Sequence, residues 1–83
     1  MSAARSYEVK VTRAGLAPGR LASPARFDLV EVISLEEMEV VLFWDVAARD
    51  TARMEAALRE ELARMGEEEF LSRWSAVVSP EDI

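Results

Sequence analysis

The chain is 83 residues long, 51% hydrophobic and 31% charged, with no His, no Cys and a net charge of −6. The missing His and Cys remove Cys–His and Ser–His nucleophilic catalysis and the usual zinc ligands, and an acidic chain lacks the basic footprint of a nucleic-acid binder. Small secreted domains are usually held by disulfides, so a chain without Cys is expected in the cytoplasm.

The first residues, Met1 to Tyr7, contain no apolar stretch of the signal-peptide type. Tyr7-Glu8-Val9-Lys10-Val11-Thr12-Arg13 then alternates, with Tyr7, Val9 and Val11 on one side and Glu8, Lys10 and Thr12 on the other. That is the pattern of a half-buried strand. Residues 14–26 hold two of the three Gly and two of the three Pro and read as a loop. Within it, Ala17-Pro18-Gly19-Arg20 suits a type II turn, because Pro presets φ and Gly supplies φ > 0. Ser23-Pro24 could instead start a helix. The β-branched cluster Val30, Val32 and Ile33 favours a strand over 27–34.

A further strand is expected over Met38–Val46, joined to the last by the four-residue loop Leu35-Glu36-Glu37-Met38. Neither Glu suits the positive φ of a tight two-residue turn. The longest apolar run, Val40–Trp44, is too short to span a bilayer. An unbroken hairpin pairs Ile33 with Val40, Glu31 with Leu42, Leu29 with Trp44 and Phe27 with Val46 on one face. The other face then carries Asp28, Val30, Val32 and Ser34 opposite Asp45, Phe43, Val41 and Glu39.

From Ala48 to Met65 the spacing of Thr51, Met54, Leu58, Leu62 and Met65 predicts an amphipathic helix, capped by Asp50 or Thr51. Gly66 is placed as the left-handed residue that ends it. Glu67-Glu68-Glu69 opens a second helix, where acids favour the positive end of the dipole. Phe70, Leu71, Trp74, Val77 and Val78 form its buried side, and Pro80 stops it. Residues 1–83 thus read as a single α+β domain, β-loop-β-β-α-α: a small antiparallel three-stranded sheet followed by two helices packed on one face.

Chemistry-bearing constellations are few. The three consecutive acids at 67–69 point about 100° apart on a helix and do not converge on an ion. Asp28 and Asp45 face each other in the unbroken register. Such a pair near Trp44 could do acid–base work, although two strand-end charges with their own partners are the simpler reading. Trp44 and Trp74 sit at core spacing. No cofactor, metal ligand set or catalytic residue is assigned, and no nucleic-acid or membrane partner.

The remaining signal is the distribution of charge and apolar surface. Residues 1–26 carry five basic groups and one acid, whereas residues 27–83 carry five basic groups and fifteen acids. Opposite charge within one small chain promotes contact within or between molecules. With the helices on the Phe27/Leu29/Trp44 face, Val30, Val32, Val41 and Phe43 remain as an apolar centre with a polar rim, the usual build of an association surface. The expectation is therefore a small non-enzymatic protein-interaction or accessory protein, a homo-oligomer with a dimer favoured. One alternative is a small-molecule-binding or enzymatic α+β dimer using Asp28 and Asp45. Another is an acidic protein that masks a basic partner, such as an antitoxin.

Overall fold

The computed structural model describes residues 2–13 and 27–83. The loop assigned to 14–26, with its Pro18-Gly19 turn and the competing helix start at Ser23-Pro24, lies outside the described residues. The described part is an α+β fold. A 3-10 turn at Ala3–Arg5 leads into β1 (Tyr7–Thr12), β2 (Phe27–Ser34), β3 (Glu39–Ala47), α1 (Ala48–Arg64) and α2 (Glu67–Ser75), with a last 3-10 turn at Pro80–Asp82. The strands form one antiparallel sheet in the order β1-β2-β3, and both helices pack on the same side of it.

The sheet departs from the unbroken hairpin at a single point. Ile33 pairs with Val40 as expected, but Val32 pairs with Leu42, so Val41 is an extra residue on β3. A bulge of this kind shifts all later pairings by one and exchanges the faces. Glu31 now faces Phe43, Val30 faces Trp44, Leu29 faces Asp45 and Asp28 faces Val46. The run Val40-Val41-Leu42-Phe43-Trp44 is apolar throughout, so it has no alternation to resist the shift.

The consequence is a correction to which face is core. Leu42, Trp44 and Val46 do turn toward the helices, but their neighbours there are Val32, Val30 and Asp28, not Leu29 and Phe27. β1 adds Val9 and Val11, which pair with Val32 and Val30. Val30 and Val32, expected at an association surface, are fully buried. Phe27, Leu29, Ile33 and Val40, expected beneath the helices, lie on the opposite face.

The helices cover this core with the predicted stripe. Thr51, Met54, Leu58 and Leu62 of α1 are buried, as are Phe70 and Trp74 of α2 and Val77 beyond it. Trp44 and Trp74 meet edge to face, 5.8 Å between centroids, a geometry worth about 0.5–1.5 kcal/mol beyond the area buried. Trp44 Nε1 donates to the Val77 carbonyl at 2.8 Å. Trp74 Nε1 donates to Glu61 Oε1 at 3.1 Å, and Arg73 Nε donates to the same oxygen at 2.7 Å. Val78, assigned to the buried side of the second helix, is exposed.

Two cap assignments also change. Neither Asp50 nor Thr51 caps α1, whose N-cap is Ala47 with no side-chain bond. Gly66 is not left-handed: Met65 (φ −93°, ψ 154°) and Gly66 (φ −75°, ψ 167°) are both extended, and Gly66 is the N-cap of α2. The extended joint frees the Met65 carbonyl, which accepts the Ala3 N–H at 2.8 Å and docks the N-terminal turn. Among the described residues the left-handed one is Met38 (φ 57°), which closes the 35–38 loop with its N–H on the Ser34 carbonyl at 2.7 Å.

Two substitutions separate these positions. Gly66→Ala meets no atom within 4 Å and no φ strain, so the stabilisation from lower unfolded-state entropy roughly offsets a poorer cap. Its urea midpoint should correspond to a change within about 0.5 kcal/mol. Met38→Gly relieves the left-handed strain and should stabilise the chain by about 0.5–1 kcal/mol in the same measurement. A loss above about 1 kcal/mol for Gly66→Ala would contradict the extended joint.

Candidate protein-binding face

The sheet has one face under the helices and one without them. Antiparallel sheets commonly leave one face to water, and that face is then polar. Here it is not. Reading across β1, β2 and β3, it presents the rows Glu8–Ile33–Val40, Lys10–Glu31–Phe43 and Thr12–Leu29–Asp45, with Phe27 beyond the last. Phe43 is 66% exposed, Phe27 50%, Val40 45% and the bulged Val41 38%. Large apolar groups gathered on one exposed surface mark an interaction site more often than scattered ones do.

The electrostatics of this surface follow from the hairpin. Residues 27–47 contain Asp28, Glu31, Glu36, Glu37, Glu39 and Asp45 and no basic residue. Glu31 and Asp45 lie on the open face, and Glu36, Glu37 and Glu39 surround the hairpin tip. Among the described residues Lys10 is the basic group of the open face, in register with Glu31. The face thus mixes apolar and charged positions, with Glu31 in the central row between Lys10 and Phe43.

Of the residues singled out from sequence, Phe43 is on this surface, Val41 is exposed at the bulge, and Val30 and Val32 are buried under the helices. Asp28 and Asp45 do not form a pair. The bulge sets Asp28 opposite Val46 and Asp45 opposite Leu29, so the carboxyl groups lie on opposite faces. Asp28 is fully buried. It accepts the Thr51 hydroxyl at 2.8 Å and lies 4.0 Å from Arg13 Nη1. Thr51, proposed as a helix cap, therefore ties α1 to β2. Asp45 is exposed, and Trp44 is committed to the core.

Phe27, Leu29, Ile33 and Val40 were missed because their parity depends on the bulge. Their signal was indirect: β1 has one apolar side, and that side had to share the core with whichever parity of β2 it met.

Clefts lined by described residues include two that do not touch Asp28, Asp45 or Trp44. One, of about 400 Å³, lies between β1 and α1 beside Tyr7, Arg59 and Leu62. The other, of about 630 Å³, lies at the start of α2 beside Arg5, Ser6 and Glu67. There the Ser6 hydroxyl donates to Glu67. Burial first, and then Glu67, Glu37 and Glu36, push the Tyr7 phenol above its usual range. Among the described residues no three acidic side chains gather as a cation cage, and no helix is long and apolar enough to cross a membrane. The chain matches no protein-family model, no curated protein and no solved structure.

Thr51→Val keeps shape and removes one donor, at 2.8 Å, from a buried carboxyl group. It should lower stability by about 1.5–3 kcal/mol in urea unfolding. A midpoint equal to wild type would show that the Asp28–Thr51 bond does not link helix and sheet.

Proposed function

We propose that this chain is a non-enzymatic protein–protein interaction protein that self-associates through the open face of its sheet. The observation that carries the reading is the pair of exposed aromatic side chains, Phe27 and Phe43, on the same face as Leu29, Ile33 and Val40. A small domain with spare apolar surface gains stability by covering it with another chain. The lack of His and Cys is consistent with binding as the task rather than chemistry. An acidic chain without Cys suits a cytoplasmic setting and protein partners, not nucleic acid.

Phe43→Lys places a charge at the most exposed aromatic of the face without touching the core. Light scattering at two salt concentrations should give a dimer for the wild type. The variant should be a monomer with an unchanged circular dichroism spectrum. A wild type that remains monomeric at millimolar concentration overturns the self-association. Loss of the fold in the variant would mean that Phe43 belongs to the core.

A further inference from the structure

Resting on the reading of the open face as a self-association surface, we infer how the second copy sits: face to face about a two-fold axis parallel to the strands, with β1 of each copy over β3 of the other. The argument is the arrangement of side chains across the face. The β1 side is polar, with Glu8, Lys10 and Thr12, whereas the β3 side carries Val40, Phe43 and Asp45. A two-fold interface must be complementary to itself.

Two in-plane axes can be compared. An axis across the strands stacks each strand on its own copy. With the axis on the central row, it sets Lys10 on Lys10, placing the face's basic group against its own charge. An axis along the strands keeps each row in place and exchanges β1 with β3. Lys10 then lies over the partner's Phe43, with the partner's Asp45 in the next row, and Thr12 lies over the partner's Asp45. A cation over an aromatic ring beside a carboxylate is attractive on both counts. Leu29 and Ile33, on the central strand, meet their own copies along the axis, as the inner residues of two stacked sheets do. Glu31 also meets its copy, but each Glu31 is in register with a Lys10 of its own chain.

This arrangement can be tested by charge exchange. Within one chain Lys10 and Asp45 are on the two outer strands, about 10 Å apart sideways at a strand spacing of about 4.8 Å. They do not form a direct ion pair there, so mutual rescue has to come from the other copy. Dimer dissociation is measured by sedimentation equilibrium for the wild type, Lys10→Glu, Asp45→Lys and the double variant, with circular dichroism as a check on folding. Each single change should weaken the dimer about tenfold, and the double change should bring it back to within about threefold of wild type. Asp45→Lys is the sharper arm. It reduces the net negative charge, so general repulsion alone would make its dimer tighter, not weaker.

High salt should narrow the gap between the single variants and the wild type. A wild-type dimer whose double variant is no better than the worse single overturns this orientation while leaving self-association intact. A tighter dimer for Asp45→Lys also overturns it. A monomeric wild type removes the underlying reading as well.

Discussion

The extra residue at Val41 is the constraint on which the rest of this molecule depends. In a strand every side chain alternates, so one inserted residue exchanges the faces of everything after it. Before the bulge, Ile33 and Val40 share the open face. After it, Trp44 and Val46 join Val30 and Asp28 beneath the helices. The largest side chain of the sheet is thereby placed where Trp74 can meet it edge to face. Without the bulge, Trp44 and Val30 would be on opposite faces, and the buried face would lose one or the other.

The helices are held to that face by apolar contact and by polar ties, and to each other through Glu61. At the β2–α1 end, buried Asp28 accepts the Thr51 hydroxyl. On the α2 side, Glu61 accepts both Arg73 and the Trp74 indole, and Arg73 lies over the Trp74 ring at 5.3 Å. Groups buried this way are favourable only when their hydrogen-bonding capacity is used. No buried side-chain polar atom among the described residues lacks a partner. The carboxyl groups that look like candidate chemistry in the sequence are thus split between structure and surface. Asp28 joins helix to sheet, and Asp45 faces solvent beside the apolar rows.

The uneven use of the two faces gives the molecule its recognisable character. Both helices go to one side, and five large apolar residues remain on the other with acids around them. A single helical layer stabilises one face of a three-stranded sheet and can do nothing for the second. The charge division of the sequence acquires a spatial meaning here. The acidic hairpin supplies most of the open face, and β1 supplies its Lys10.

The element types follow from local residue pattern alone. Alternation in 7–13 makes a strand, β-branched residues in 27–34 make another, and helical spacing from Thr51 to Leu62 makes α1 with its buried stripe. The four-residue hairpin loop was also legible, because Glu36 and Glu37 disfavour a two-residue turn. These are local properties, set by side-chain spacing and backbone preference over a few residues. The parity of the hairpin, and with it which residues are core and which are open, is set by packing across the fold. Five consecutive apolar residues at 40–44 satisfy either parity, so the choice falls to the register that buries Trp44 together with Val30 and Val32, the residues paired with Val11 and Val9 of β1. The same holds for Gly66, where local preference for a left-handed end yields to docking of Ala3 on the Met65 carbonyl. Local spacing cannot encode a choice whose energy lies in contacts between residues thirty or more positions apart.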